Sequence, residues 1–566
     1  MPAVLKVLPV APKPAGLTGQ SGWRLAGLFA LIVGCEIALH APLLRLPYFW
    51  DEAGYYIPAA RDLLLTGDLI PHSTLSNAHP PLLMAWLALA WKIAGYIPVV
   101  TRLAMLVVAS VALTGIYRLA RLVANEQVAY ATVICTAIYP VFFAQSSLAH
   151  IDLAAAALVM WALGFYLEER NLASSSLFAL ACLTKETAVI APAALIAWEA
   201  AGLGLRWWSK QSPRLGALLP EILPFPTLSW RRLVGLALSL IPLAAWFVYH
   251  HHRTGYIFGN PEFLEYNLLS TLHPLRVLAA LVLRLWQLFG YLNMFVLTGA
   301  ALLAMKLLPI SEPASAVRKI RGNGHPLLER PRIAIRVQLI FAALVLAHVI
   351  ALSVLGGAVL ARYLLPVYPL VILVCVSTLW RRLPWWPAFL SVVCLGFVIG
   401  LLINPPYRFA PEDNLAYADY VRLHQAAAGV ISTRFPNARV LTAWPASDEL
   451  SRPWLGYVER PLKIVKIENF AAGPMLAAAR ERDLYDLALV FSTKYEPGTS
   501  LQRLLPFWEH IQERWFGYHR DLTPEAAAGI LSGRIIYQSA KGGQWVAIVS
   551  VDHAEYAALK PLYGSR

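Results

Sequence analysis

Apolar runs, most of them about 17 to 22 residues long, recur along the chain from Leu25 to Ile403 and then stop. A bilayer's hydrocarbon core is crossed by about 20 residues of helix, so these runs read as membrane spans. They fall at about 23–44, 101–120, 127–147, 151–167, 173–184, 187–204, 233–250, 276–306 (long enough to be broken), 336–356, 363–380 and 385–403, about eleven in all. The apolar stretch 80–97 is assigned instead to an interfacial or re-entrant helix. Were it a span, Arg118 and Arg121 would end outside the cytoplasm, against the bias of Lys and Arg for the inner side. Residues 44–97 then form one extracytoplasmic loop, in which IPAARDLLLTG has the half-apolar pattern of an amphipathic helix lying on the membrane.

Beyond about residue 404 the pattern changes from long apolar runs to short ones. RVLTAW (439–444), YDLALVFS (485–492) and the pair RIIYQS and QWVAIVS around Lys541-Gly542-Gly543 read as strands. They alternate with helical stretches near 412–434, 474–482, 500–515 and 523–532. The expected architecture is a transmembrane domain over 1–403 followed by an extracytoplasmic α/β domain over 404–566. Neither a GxxxxGK loop nor a glycine-rich dinucleotide fingerprint occurs in the latter, which is expected to shape or cover a site.

Composition agrees with the pattern. Of 566 residues 58% are hydrophobic and 14% charged, which describes a polytopic membrane protein, and the 19 Trp and 24 Tyr suit a chain with many membrane–water boundaries. The net charge of +14 reflects basic cytoplasmic loops at 205–232 and 307–336 and the pair Arg381–Arg382; nothing in it points to nucleic acid. All five cysteines sit in apolar runs without a CxxC or Cys/His pairing, so neither a disulfide nor a thiolate zinc site is expected. The first apolar run lacks a small-residue cleavage site and is read as a retained span.

Counting spans from a cytoplasmic N-terminus brings five polar corners to the opposite face: the Asp51 stretch, Asp152, the Thr184–Thr187 turn, the 250–275 loop and Arg362. Such convergence is what an active site requires. Adjacent carboxylates such as Asp51-Glu52 suit a metal pair, a general base with its orienting partner, the proton-coupling pair of a transporter, or simple acids at a helix start. Asp152 opens a span on the same face. Lys185, Arg276 and Arg362 read either as interfacial anchors or as partners of a lipid phosphate. Glu36, inside the first span, should face protein or water.

The segments WDEAGYYIPAARDLLLTGDLIPH, HPPLLMAWLALAWKIAG, Arg102-Leu103, SLAHIDLAAAAL, LTKETAVIAP and ARYLLPVYP, in that order over about 20–403, resemble the C-type-fold membrane glycosyltransferases of the protein O-mannosyltransferase and aminoarabinose transferase type. The resemblance implies that Asp51 is catalytic, that Asp152 is the second acidic corner and that Lys185 lies near the lipid phosphate. Two positions depart from the aminoarabinose branch: Gly54 stands where that branch has a basic residue, and His79-Pro80-Pro81 replaces Glu-Lys-Pro. His79 is therefore a candidate phosphate or metal contact, or an interfacial helix cap.

The expectation is an inverting transferase that takes a sugar from a polyprenyl-phosphate donor and delivers it to a protein, lipid or envelope-glycan hydroxyl on the outer side of a bacterial inner membrane. Asp51 would be the base, with Glu52 and Asp152 orienting the acceptor or a metal. Lys185, Arg276, Arg362 and His79 would meet the phosphate, and Tyr55 and Tyr56 would stack on sugar or anchor at the interface. A divalent metal remains open, with Asp51, Asp152 and His79 as candidate ligands. The rival class is a transporter or lipid flippase, which predicts acids deep in several spans and pseudo-symmetric halves; Glu36 alone lies clearly at depth, and no repeat is seen.

Overall fold

The computed structural model describes residues 21–211, 230–313, 327–497 and 506–551. Much of the two basic loops, including Arg214, Arg318, Lys319 and Arg321, lies outside the described residues.

A helix stands at each expected span, but their lengths divide them. Gly22–Leu43, Pro98–Val123, Trp230–Thr254, Pro274–Ala304 and Ile335–Val354 are long and apolar enough to cross a membrane. Ile151–Leu167, Asn171–Thr184 and Trp386–Leu402 are shorter apolar helices, as is Leu82–Ala94, whose 13 residues reach only about 20 Å at 1.5 Å each. The expected span 127–147 is not one rod. It is a pair, Glu126–Ile138 and Pro140–Ser147, bent by 68°. Pro140 lacks the amide that a continuing helix would use and pushes Tyr139 into the extended region (φ −60°, ψ 126°). The 276–306 run is interrupted at Leu292 and Asn293, both at positive φ. Polar neighbours serve the backbone there: the Tyr407 hydroxyl accepts from Leu292 N at 3.0 Å, and Asn293 Nδ2 donates to the Gly396 carbonyl at 2.7 Å. Glu36 faces protein, as its cost at membrane depth requires, and is buried beside His40.

The C-terminal domain is built on a five-stranded sheet, one strand more than the pattern suggests. In spatial order the strands are Lys463–Ile467, Arg439–Ala443, Leu487–Phe491, Gln544–Val551 and Gly533–Lys541. The first three run parallel and the last two close the sheet as an antiparallel hairpin. Leu487–Phe491, buried at every position, has the continuous apolar run of a central strand. The unforeseen strand, Lys463–Ile467, is the opposite case: an edge with lysines at 463 and 466, a charge pattern that protects an open edge.

Packing does not respect the change of composition at residue 404. One buried cluster fills the space among the membrane helices. A second runs from Leu43, Phe49 and Ile57 through Leu87 and Trp91 into Val440, Leu489 and Ile548 of the sheet. The 44–97 loop is thus a packed layer between membrane helices and C-terminal domain. The join is close at Gly54, where a Cβ would come within 2.5 Å of the Trp444 indole.

Candidate active site

Asp51 is set by an unusual piece of backbone. Trp50 just before it takes φ +43°, and a π-helical turn, Glu52–Tyr56, follows and leads into the helix Ile57–Thr66. Left-handed backbone at a tryptophan and a π turn both persist only where their surroundings enforce them. Glu52 does much of that enforcing. Its carboxylate is fully buried, accepts from Phe49 N at 2.8 Å and from Ala149 N at 2.6 Å, and forms an ion pair with Arg102, whose Nη2 lies 3.0 Å from Oε2. Arg102 in turn donates to the carbonyls of Pro47 and Ser147 at 2.7 and 2.8 Å. This geometry gives Glu52 the part of a clamp between the Asp51 loop and the Ala149 turn, in place of the acceptor- or metal-orienting part expected of it.

The centre of the site is Arg362, at the start of the turn before the helix Tyr368–Arg382. Its guanidinium pairs with Asp51, lies 2.6 Å from Glu412 and approaches Asp152 at 3.3 Å. Lys185 pairs with Asp152 and stands 3.9 Å from the Tyr363 ring centre. Four chain regions, around Asp51, Asp152, Lys185 and Arg362, therefore converge with the 404–415 linker on one charge cluster. Its members differ in access: the Asp51 side chain is 21% exposed, against 2% for Asp152 and 6% for Glu412. Asp51 is the most exposed acid of this cluster.

Tyr55, Tyr56 and His79 line an adjoining cleft with Thr74, Asn77 and Trp246. Tyr55 turns toward Trp444, with ring centres 5.7 Å apart, while Tyr56 packs between His79 and His150. His79 Nδ1 donates to Glu186 at 3.0 Å. Burial disfavours the Glu186 carboxylate, but His79 and Lys185 outweigh it and hold its pKa down at about 2. Arg276 is elsewhere: its guanidinium is spent on the carbonyls of Ser353, Gly356 and Gly357. Arg284, which the sequence did not single out, binds the Leu360 carbonyl at 2.6 Å in the same way. Both arginines fasten the loop that delivers Arg362.

The acids and histidine nearest to a metal-binding arrangement are Asp51, His150 and Glu412, whose ligand atoms lie within 4.8 Å of one another. This set shares only Asp51 with the expected Asp51, Asp152 and His79. The Arg362 guanidinium bonds two of its members and stands 3.2 Å from the third, so a divalent cation would have to displace a fixed positive charge. The donors fit a guanidinium better than a metal. Gln145 donates from Nε2 to the Glu412 carbonyl at 3.0 Å and so presents Oε1 to His150 Nδ1 at 2.8 Å. The proton is accordingly assigned to Nδ1, and Nε2 is a buried acceptor without a partner. Burial, first, and Arg362 keep His150 well below its ordinary pKa, hence neutral.

Glu412 is the participant that sequence reasoning missed. In Ala-Pro-Glu-Asp it looks like an acid decorating a helix start, and only the fold carries it to Arg362. Burial and the neighbouring Asp51, Asp413 and Asp152 carboxylates push its pKa up to about 8, although Arg362 pulls the other way. Burial pushes Asp413 up to about 7, although the Tyr291 hydroxyl from which it accepts at 2.7 Å pulls the other way. A carboxyl whose pKa is higher in the folded state keeps a proton there that the unfolded chain has lost, so stability falls as pH rises between the two values. The melting temperature of the wild type is therefore expected to decline from pH 5 to pH 8, and Glu412→Gln should flatten part of that decline. Parallel curves for the two proteins would deny Glu412 this role.

This architecture, multi-pass helices with a sheet domain packed over the 44–97 loop, is the C-type glycosyltransferase fold. The solved structure of ArnT from Cupriavidus metallidurans bound to undecaprenyl phosphate is similar to it at TM-score 0.51 and 14% identity, covering 94% of this chain and 98% of that one. The same protein in the apo state gives 0.49 at 14%, covering 93% and 98%. The Archaeoglobus fulgidus oligosaccharyltransferase in complex with Zn and sulfate gives 0.44 at 14%, covering 92% of this chain and 72% of that one. Residues 78–230 match the family model of dolichyl-phosphate-mannose-protein mannosyltransferases. No curated protein matches by sequence.

Proposed function

We propose that the chain is a membrane glycosyltransferase that moves a sugar from a polyprenyl-phosphate donor to an acceptor hydroxyl, with Asp51 as general base and the site on the extracytoplasmic side of an inner membrane. The observation that carries this reading is the pairing of a partly exposed carboxylate, Asp51, with the buried cation Arg362, next to the buried Lys185–Asp152 pair and beside an aromatic cleft. A glycosyl transfer of this kind needs a base for the attacking hydroxyl and positive charge for the departing phosphate. Before the donor arrives those cations are neutralised by Asp51 and Asp152, with the Glu412 carboxyl as a further hydrogen-bonding partner of Arg362. A phosphate replaces carboxylates as their partner, and the freed Asp51 faces the acceptor. Glu52 positions the base through the Arg102 pair. The acceptor is a protein, lipid or envelope glycan.

Incubating the purified protein with a panel of synthetic undecaprenyl-phosphate sugars and envelope extract tests the reading. Release of undecaprenyl phosphate with label entering the extract is the expected result; no release with any sugar would count against it. Lys185→Ala is expected to weaken binding of undecaprenyl phosphate by about ten- to a hundredfold, since one charge-assisted hydrogen bond is worth about 1.5–3 kcal/mol. Unchanged affinity in a titration would remove Lys185 from the phosphate site.

A further inference from the structure

A groove of about 630 Å³ opens between the ends of the first and last membrane helices and the C-terminal domain, a size within the usual range of about 300–1,000 Å³ for small-molecule sites. Its floor is apolar, from Leu39 and Leu43 at one helix end, Phe143, and Leu402 and Ile403 at the other. Leu39, Leu402 and Ile403 are 53%, 66% and 62% exposed, so the floor is an open apolar surface where two helices leave the membrane. The rim belongs to the C-terminal domain and is charged: Asp419, Arg422 and Lys541.

That rim is held firmly. Asn404, just past the last membrane helix, donates from Nδ2 to the Gly542 carbonyl at 2.7 Å, and Gln544 donates to the Ala416 carbonyl at 2.8 Å. Gly542 and Gly543, at φ +58° and +77°, make the hairpin turn that sets Lys541 over the groove. Lys541 Nζ lies 2.9 Å from Asp419, and Arg422 lies 3.6 Å from the same carboxylate. One acid faces two cations, both of them substantially exposed, leaving one positive charge above an apolar floor. The Arg362 cluster, by contrast, is balanced, with Asp51 and Asp152 against Arg362 and Lys185.

We infer that this groove binds an anionic phospholipid, its acyl chain on the Leu39–Leu402 floor and its phosphate on Arg422 and Lys541. The site is separate from the proposed donor site and stands whether or not the protein transfers sugar. A bound lipid there would tie the C-terminal domain to the bilayer at the 541–543 hairpin.

The test uses the full chain in nanodiscs of equal phosphatidylglycerol and phosphatidylcholine, with the lipid retained after detergent exchange counted by mass spectrometry. The wild type is expected to retain phosphatidylglycerol over phosphatidylcholine by about fivefold, the preference of roughly one basic residue at an anionic surface. The double variant Arg422→Gln/Lys541→Gln, both positions being on the surface, should keep the parent's melting temperature and lose that preference. Equal retention of both lipids by the wild type would overturn the inference, as would a double variant that still prefers phosphatidylglycerol. Replacing Leu402 with Asp supplies an independent variant, expected to reduce retention of both lipids; unchanged retention would exclude the floor.

Discussion

The Asp51→Asn protein is expected to bind undecaprenyl phosphate at least as well as its parent and to transfer sugar about 10²–10⁴-fold more slowly, the usual cost of a lost general base. Asparagine keeps the size and the hydrogen bond toward Arg362 but has no basicity. Because Asp51 shares Arg362 with Glu412 and Asp152, removing its charge leaves the guanidinium less neutralised and the phosphate no worse received. A loss confined to turnover marks an interaction that strengthens only as the hydroxyl attacks. Single-turnover transfer from a synthetic donor, alongside titration with undecaprenyl phosphate, separates the two quantities. Parental turnover would end the assignment of Asp51 as base.

Arg102→Met should damage folding far more than Asp51→Asn does. It strands the Glu52 carboxylate at 0% exposure and leaves the Pro47 and Ser147 carbonyls without their donor. Breaking a buried ion pair by removing one partner costs about 3–5 kcal/mol, whereas replacing both partners by neutral groups is often tolerated. The double variant Glu52→Gln/Arg102→Met is accordingly expected to recover much of the lost stability without recovering activity, because the Trp50 backbone would no longer be held. Thermal unfolding of the three proteins in detergent checks this. A single Arg102→Met variant within about 1 kcal/mol of the parent would show that the pair contributes little, as exposed pairs do.

The apolar runs located the helices because a bilayer imposes one length and one polarity on every span. They did not reveal where a span breaks. Pro140 was visible, yet a proline in a membrane helix is compatible with either a kink or a full stop. Strands with apolar cores were equally plain, while Lys463–Ile467 was hidden because an edge strand mixes lysines with its apolar positions. Among the site residues, Asp51, Asp152, Lys185 and Arg362 were legible as ionisable groups beside spans on a common face. Charge alone did not distinguish Arg362, which joins that cluster, from Arg276, which binds carbonyls. Glu412 was beyond reach for another reason: its partner is 50 residues away and nothing local requires it.

Gly54 and Trp444 have a bearing on how such a protein can be re-engineered. The indole occupies the space that any side chain at position 54 would need, so the two positions are mutually exclusive in size. A basic residue introduced at 54, as in the aminoarabinose branch, would lift the C-terminal domain from the loop unless Trp444 were reduced at the same time. Chimaeras that exchange only the membrane half or only the sheet half would carry mismatched surfaces at this point. A graft between relatives has to move residue 54 and residue 444 together, although 390 positions of chain separate them.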